Sequence, residues 1–377
     1  MMKLLAIARR SSQRAWLCTG KCKQFKRATL GGLVALLLTA SCSRSTSVWA
    51  VLDNYAYRLS NVFAIDFDFV EPEQPVVRYP KRSDLQFTLS TSRINLLDFL
   101  RLSQCDVQRH IGANNSSLGK LAPASQNLLY ELEFVRLARQ CLAEREQRGE
   151  RTRLDDKLSE AVTLKQRERS LMQWNASFAS VEFQQLFSYQ KSMSSAALAA
   201  SPSELLAALA SISEFYGAGA NEAKPLRYDN FEQHLAVIGS VNYIGQLHGA
   251  MRLFNRVLPE ITEQVAQAQE HRPLCPWGKV SPKGKVMHTV FLRFYIGEVQ
   301  PMLSQLVQRV EALRAELMKL RSTMTLSSPS AFDLYWQRVW GQEVSSEYGA
   351  LKNNIAQHTL MWQNSLSQCG LMPGAKG

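Results

Sequence analysis

Two absences mark the beginning of the chain. The first 41 residues contain no aspartate or glutamate, although they hold eight lysines and arginines. They also lack a long hydrophobic run. The uncharged stretch 28–41 has 14 residues, fewer than the roughly 20 that a membrane-spanning helix needs. A basic segment, a short apolar segment and a junction of small residues are typical of an export signal. We therefore expect residues 1–41 to form a signal peptide and not a transmembrane helix.

The signal ends in Ala40, Ser41 and Cys42, a junction that resembles the lipobox of bacterial lipoproteins. In that family the signal is cut before the cysteine, whose sulfur and new amino group receive acyl chains. Ser41 provides the small residue that the cut requires, and Thr39 stands where the family usually has leucine. The resemblance implies lipidation of Cys42, and Ser43 in place of aspartate implies the outer membrane. The alternative is a plain cleaved signal in which Cys42 has no role.

A strongly basic balance is absent from the mature chain. The whole sequence has 44 Lys+Arg and 32 Asp+Glu, a net charge of +12. Removing residues 1–41 takes away eight positive charges and leaves 36 against 32, a net charge of +4. The basic footprint of a nucleic-acid binder is therefore missing, and we expect no nucleic-acid partner.

Cysteines are few after the signal: Cys105, Cys141, Cys275 and Cys369 remain besides Cys42. An even number in an oxidising compartment predicts two disulfides, with three possible connectivities. We expect no metal site. His271 near Cys275 supplies two potential ligands, which do not make a zinc site.

Strand-like alternation is also scarce, whereas apolar residues at spacings of three and four are frequent. Two heptad seams, over 247–265 and 299–320, stand on either side of one loop. Helices with such seams form an antiparallel hairpin when a single loop joins them. We predict an all-α fold, an elongated antiparallel bundle with a long C-terminal helical hairpin and little or no sheet.

The mature chain is expected to begin with a polar tether, 42–47, followed by a helical domain over 48–377. Possible subdomains are 48–216 and 225–377. Three prolines exclude a long helix from 67–85, so an extended loop with a short strand near 76–79 is expected. The charge-dense segment 150–173 mixes both signs at helical spacing, which is typical of a solvated helix face.

Helix lengths favour one disulfide pairing. Helices over 287–321 and 331–365 would each have about 35 residues and span roughly 50 Å. A short turn joins them, so they should run antiparallel and return Cys369 to the loop that carries Cys275. We therefore predict the pair Cys275–Cys369. The remaining pair is Cys105–Cys141.

Motifs of catalysis are missing. The sequence contains no GxSxG, HExxH, Walker A or dinucleotide-binding glycine pattern. A lone helical histidine is more often a core or surface residue than a catalyst, and tryptophans at helical spacing are more often packing residues. We therefore expect no catalytic residue and no cofactor. The residues weighed in this way are His234, His248, His288, His358, Trp336, Trp340 and Trp362.

Two features indicate binding surfaces. Arg78, Tyr79, Lys81 and Arg82 place three cations around an aromatic residue in a proline-containing loop, and Trp277 stands in a second loop beside lysines. Exposed aromatics beside cations suit an anionic partner or a lipid headgroup surface. The alternative is that both aromatic rings point inward and the cations are merely solvated.

Three segments resemble an uncharacterised proteobacterial lipoprotein family, a domain of unknown function. They are NNSSLGKLAPASQNLLYELEF (114–134), FLRFYIGEVQPML (291–303) and HTLMWQNSLSQCG (358–370). The resemblance covers most of the mature chain and implies no activity.

The sequence favours a lipid-anchored, periplasm-facing helical protein that acts as a structural or interaction module, with an envelope protein as a possible partner. The alternative is an envelope hydrolase or small-ligand-binding protein with a site between helices. Such a site would draw on residues such as His358 or Glu131, since catalytic groups can assemble from distant positions.

Overall fold

The structure, a computed structural model, describes residues 46–71, 75–90, 96–114, 121–150, 152–218 and 230–372. Within these residues no β-strand forms, and Ser47 and Ser194 make one isolated antiparallel bridge. The predicted all-α class is confirmed. The possible strand near 76–79 does not form. The residue that follows it, Pro80, accepts instead from a side chain, Nε2 of Gln184, at 2.8 Å.

The described helices of the first half have between 4 and 24 residues. They are α1 (Val48–Phe63), α2 (Arg82–Leu85), α3 (Leu96–Leu100), α4 (Asp106–Asn114), α5 (Ala124–Gln147), α6 (Arg153–Arg167), α7 (Arg169–Asn175), α8 (Val181–Leu186), α9 (Ser195–Ala199) and α10 (Ser203–Ala218).

Among the described residues, the second half contains three helices of 22 to 29 residues and three shorter ones. They are α11 (Phe231–Gly239), α12 (Tyr243–His271), α13 (Pro282–Val290), α14 (Gln300–Ser322), α15 (Ser330–Trp340) and α16 (Glu347–Gln368). A 3-10 turn over Pro276–Gly278 precedes α13, and a π-helical segment, Phe291–Val299, joins α13 to α14. No helix among these described elements is both long enough and apolar enough to cross a membrane.

The start of α1 is fastened to the rest of the body. The Ser47 hydroxyl accepts from the amide of Ala50 at 3.1 Å and caps the helix. Ser195 donates to the carbonyl of Thr46 through its amide at 2.9 Å and its hydroxyl at 2.8 Å. The helical body therefore begins at Thr46, four residues after Cys42.

Helices α12 and α16 run parallel to each other. Side-chain contacts advance together along both helices, so residues later in α12 meet residues later in α16. The contacts are Arg252 with Glu347 at 2.5 Å, Thr262 with His358 at 2.9 Å, and Gln269 with Ser365 at 2.6 Å. The C-terminal ends of the two helices therefore lie side by side.

The stretch from α13 to α14 runs in the opposite direction. Tyr295 contacts Thr359 at 3.4 Å, and Glu311 accepts from Tyr348 at 2.7 Å, so the order of contacts along α16 is reversed. The predicted antiparallel direction of the α12 and α14 seams is therefore correct. However, α12 packs most extensively on α16 and not on α14.

The single helix predicted over 331–365 is wrong, because the chain breaks between α15 and α16. Ser346 caps the N-terminus of α16 by accepting from the amide of Gly349 at 3.0 Å. A Cβ on Gly349 would lie 2.0 Å from the carbonyl oxygen of Glu343. The break therefore depends on a cap and a glycine that permits close approach of the backbone.

Both predicted cysteine pairs lie at disulfide distance. The S–S distance is 1.98 Å for Cys275–Cys369 and 1.99 Å for Cys105–Cys141. The first pair joins the ends of two parallel helices, α12 and α16. The chain leaves Cys275 through α13 and α14 and returns to Cys369 through α16, which runs antiparallel to them. The expected return is therefore correct, although the returning stretch is broken between α15 and α16.

Two hydrophobic clusters fill the body. The smaller one lies around Cys105–Cys141 and takes residues from α4, α5 and α6. The larger one contains side chains from both sides of the divide expected between 48–216 and 225–377. Residues 219–224 of that divide lie outside the described part of the chain, so the division stays a prediction.

The charge-dense segment has an exposed charged face, as expected, with Asp156, Glu160 and Arg167 on it, but α6 also carries two buried charges. Asp155 and Lys165 of α6 are buried at 6% and 7% exposure. Asp155 pairs with Arg145 at 2.6 Å, and Lys165 pairs with Glu131 at 2.7 Å, both on α5. The buried charges of this segment therefore form ion pairs that join α6 to α5.

Two glycines of α12 form a trough for the backbone of residues 188–191. A Cβ on Gly245 would lie 1.8 Å from the carbonyl oxygen of Ser188, and a Cβ on Gly249 would lie 1.8 Å from that of Gln190. In addition, the amide of Gln190 donates to the carbonyl of Gly245 at 3.2 Å. The absence of both side chains lets an extended segment lie directly on the helix.

We predict that Gly249→Ala lowers the free energy of unfolding by about 2 kcal/mol or more, because the methyl group overpacks a rigid backbone contact. Gly217→Ala is the matched control, since nothing lies within 4 Å of its Cβ position in α10. It should be neutral or stabilising by about 0.5 kcal/mol. Urea unfolding monitored by circular dichroism measures both values, and equal effects would contradict the trough.

Candidate functional site

A hydrogen-bonded group of side chains lies at the centre of the long helices. His358 on α16 contacts the hydroxyl of Tyr55 on α1 through Nε2 at 2.8 Å and the hydroxyl of Thr262 on α12 through Nδ1 at 2.9 Å. Trp362 donates from its indole N–H to the Tyr55 oxygen at 2.8 Å. Tyr55, His358 and Trp362 are each at most 1% exposed.

The partners of this group determine the direction of each bond. Thr262 donates to the carbonyl of Leu258 at 2.7 Å, so its oxygen accepts the proton of His358 Nδ1. Nε2 then accepts from Tyr55, whose oxygen accepts from Trp362. We call this continuous series from Trp362 through Tyr55, His358 and Thr262 to the Leu258 carbonyl the His358 chain.

The His358 chain holds its histidine neutral. Burial lowers the pKa of His358 to about 3 and raises the pKa of Tyr55 well above its ordinary value. Both ring nitrogens are occupied, and the ring is 0% exposed. A general base needs a free nitrogen within reach of a substrate. The arrangement therefore stabilises the core and provides no catalytic base, contrary to the role that the hydrolase alternative gave His358.

The π-helical segment lies beside this chain. The ring of Tyr295 lies 5.2 Å from that of His358 and 5.8 Å from that of Trp362, measured between centroids. π-helical turns are frequent at functional sites. Here the π-helical turn places the ring of Tyr295 against those of His358 and Trp362. Two of the segments that carry the family resemblance, 291–303 and 358–370, therefore pack against each other.

The other acidic candidate, Glu131, is engaged in an ion pair. Its carboxylate accepts from Lys165 at 2.7 Å, and the two side chains are 18% and 8% exposed. Asp155 is held in the same way by Arg145. Burial acts to raise the pKa of Asp155, but hydrogen bonds from Arg145 and Thr152 outweigh it and lower that pKa to about 2. These carboxylates join helices.

The loop with Arg78, Tyr79, Lys81 and Arg82 is anchored by its aromatic residue. The ring of Tyr79 points inward and stacks on that of Phe187 at 4.3 Å, and its hydroxyl donates to the carbonyl of Phe178 at 2.8 Å. Arg82 donates from Nε to the carbonyl of Ala179 at 3.1 Å. Arg78 and Lys81 are exposed, and binding by these cations stays a prediction.

A cleft of about 480 Å³ lies beside Arg82, between the end of the proline-containing loop and the start of α5. This volume falls in the range of small-ligand sites. Its lining includes Arg82, Asn127 and Glu182, but none of the described lining residues is a histidine or a cysteine. The cleft offers polar contacts, among them the hydroxyls of Ser125 and Ser180 and the carboxylate of Glu182.

Trp277 has the opposite environment to Tyr79. Its side chain is 95% exposed, so the inward alternative is wrong for this residue. Arg78 lies against Tyr189 near Gly249 of α12, whereas Trp277 follows the other end of that helix. Gly249 and His271 are separated by about 33 Å along the helix axis. The two binding surfaces expected from the sequence therefore do not form one site.

The other histidines form no cluster. His248 is 1% exposed, with its ring 5.2 Å from that of Tyr189. Its Nε2 has no hydrogen-bond partner among the described residues. Burial, with a smaller effect from the charge of Arg252, lowers the pKa of His248 to about 3. His234 and His288 are half-buried on separate helices. No group of three or more potential metal ligands occurs within the described ranges.

Fold and site together define an all-helical protein with a closed polar core and two separate cationic surface features. The chain belongs to a family described as protein of unknown function (DUF3080), whose model matches residues 52–373. No curated protein and no solved structure matches it. Cys42 lies before the matched region and outside the described residues.

Sequence reasoning identified His358 and Trp362 but not their partners. Tyr55 is 303 residues away from His358 in the chain, and Thr262 is an ordinary polar position beside a heptad seam. A tyrosine among the buried apolar residues of α1 was the one local signal, since a buried hydroxyl needs a partner.

We predict that the free energy of unfolding falls by about 4 kcal/mol between pH 7 and pH 5, with about 2 kcal/mol from each of His358 and His248. The folded pKa values of about 3 lie below the ordinary value of 6.5. The unfolded chain therefore binds more protons, and stability is lost as pH falls from 6.5. The carboxyl of Asp155 contributes only near and below its ordinary pKa of 3.8.

Urea unfolding of His358→Gln measures this dependence. In this variant the decrease in the free energy of unfolding between pH 7 and pH 5 should be about half that of the wild type. This holds even if the substitution changes the stability at pH 7. His271→Gln, at an exposed position, should leave the change intact. A pH dependence in His358→Gln equal to that of the wild type would contradict the neutral buried histidine.

Proposed function

We propose that the chain is a lipid-anchored, non-catalytic helical protein of the bacterial envelope. It faces the periplasm and acts through contacts with another envelope component. The observation that carries this proposal is the closed core. His358 and Glu131, the groups singled out for catalysis, are bonded to other helices and do not face the cleft. The side chains that stay accessible to a partner are those on the protein surface.

The short link to Cys42 supports the anchoring part. Thr46 and Ser47 are fixed to Ser194 and Ser195, and four residues of extended chain reach at most about 14 Å. Acyl chains on Cys42 would therefore hold the body close to the membrane surface, since several chains anchor a protein stably. A body held in this way meets partners that are themselves at the membrane.

Changing Cys42→Ala tests the anchor. The signal should stay uncut and leave a precursor about 4 kDa larger, given roughly 110 Da for each retained residue. Metabolic labelling with a fatty-acid analogue should mark the wild type and not the variant. Cys22→Ala, which changes a cysteine inside the signal, is the control and should be cut and labelled normally. Normal processing of Cys42→Ala together with an unlabelled wild type would remove the lipoprotein assignment.

Crosslinking in intact envelopes tests the interaction part. We expect one dominant crosslinked protein with the wild type, and its loss in the double variant Arg78→Glu/Lys81→Glu. Arg82 is left unchanged because it holds the loop through the carbonyl of Ala179. Lys319→Glu on α14 is the control for a change of surface charge. Purification of the wild type with a reproducible small molecule in the cleft would contradict the interaction role.

A further inference from the structure

Trp277 is held in an unfavourable position for an apolar residue. Its side chain is 95% exposed, and its backbone has φ 65°, in the left-handed region that favours glycine. Gly278 follows with φ 69°. The backbone conformation closes a turn, in which the amide of Gly278 donates to the carbonyl of Cys275 at 3.3 Å, but the exposure of the indole ring adds nothing to the core. A strained residue that the surroundings maintain is an indication of function.

The surroundings of Trp277 are rigid. The disulfide Cys275–Cys369 fixes the chain two residues before it to the end of α16. On the other side, Ser281 caps α13 by accepting from the amide of Gly284 at 3.0 Å, and its hydroxyl donates to the carbonyl of Leu274. The chain is therefore held in place on both sides of Trp277. We call residues 272–286 the Trp277 tip.

The positive charge of the mature chain is concentrated around this tip. No aspartate or glutamate occurs between Glu270 and Glu298, a segment with five lysines and arginines. The rest of the mature chain then has 31 Lys+Arg against 32 Asp+Glu, so the net charge of +4 comes from this segment. The five cations are exposed, and none forms an ion pair with a described residue. They are Arg272, Lys279, Lys283, Lys285 and Arg293.

We propose that the Trp277 tip docks on the surface of an anionic phospholipid bilayer. The indole ring would lie at the level of the headgroups, where tryptophan is enriched, and the cations would meet the lipid phosphates. Val280 and Val286, at 40% and 54% exposure, add apolar surface on the same tip. The proposed partner therefore combines a negatively charged surface with an apolar interior that the indole ring can enter.

Two features favour a bilayer over an acidic protein. Three of the five cations are lysines, and lysine is depleted from protein interfaces, where arginine is enriched. The tip is also open to solvent, because Trp277 is 95% exposed and nothing lies within 4 Å of the Cβ position of Gly278. A protruding tryptophan enters a lipid surface directly, whereas a protein partner must provide a matching pocket.

The position of the tip suits a second contact with the membrane. The start of α1 lies beside Arg256, whose guanidinium is 5.3 Å from the ring of Trp49. The tip follows the end of α12, and Arg256 is separated from His271 by about 22 Å along the helix. With the proposed anchor at Cys42, the body would touch one bilayer at two separate points. This arrangement rests on the proposed function, whereas binding by the tip does not.

Vesicle binding by the body without its anchor tests the proposal. Residues 45–377 form one compact unit, so they can be studied without the signal and without Cys42. We expect cosedimentation with vesicles of phosphatidylglycerol mixed with phosphatidylcholine, and none with vesicles of phosphatidylcholine alone. Lys279→Glu/Lys283→Glu should abolish the binding, and Trp277→Gly should weaken it about tenfold.

Trp277→Gly separates binding from folding. Glycine relieves the backbone strain, so the variant should unfold at the same urea concentration as the wild type or at a higher one. Tyr57→Ala on α1 removes another exposed aromatic residue, at 59% exposure, and Lys319→Glu reverses another lysine. Both controls should bind the anionic vesicles like the wild type.

Equal binding to both kinds of vesicle, binding to neither, or unchanged binding by Trp277→Gly would overturn the proposal. Retention on immobilised polyglutamate without binding to anionic vesicles would also overturn it, in favour of an acidic protein. Because this body lacks Cys42, its result is independent of the lipidation experiment, and either proposal can fail alone.

Discussion

The His358 chain is the constraint on which the long-helix core depends. It has one direction from the Trp362 indole to the Leu258 carbonyl, and every donor in it has an acceptor. An unsatisfied buried polar group costs about 1–3 kcal/mol, so a shift of α1, α12 or α16 along its axis would break several bonds together. Apolar packing alone tolerates such shifts better than a chain of directional contacts.

The same hydrogen bonds prevent His358 from acting as a general base. A histidine that accepts at Nε2 and donates at Nδ1 has no nitrogen left for a substrate, and its burial keeps it uncharged. Glu131 and Asp155 are likewise committed to Lys165 and Arg145 on neighbouring helices. These titratable groups therefore hold neighbouring helices together.

Hydrophobic periodicity predicted the helical class, the direction of the seams and a disulfide between Cys275 and Cys369. It could not predict the break between α15 and α16, because the cap at Ser346 and the backbone contact at Gly349 are local features without a periodic signal. The charge pattern of 150–173 predicted its exposed face but not its buried ion pairs. Mixed charges at helical spacing look the same on a solvated face as on one that pairs with α5.

Tyr79 and Trp277 show why aromatic residues beside cations are ambiguous in a sequence. The ring of Tyr79 stacks on that of Phe187 and meets that of Tyr335, which lies far away in the sequence, whereas no ring covers Trp277 among the described residues. The difference originates in the core. The His358 chain sets α12 and α16 parallel and in register, so Cys275 and Cys369 meet at the helix ends. The disulfide fixes the turn at that point. Strain at an exposed tryptophan can then persist, because relaxing it would require movement of a turn that is covalently attached to both helices.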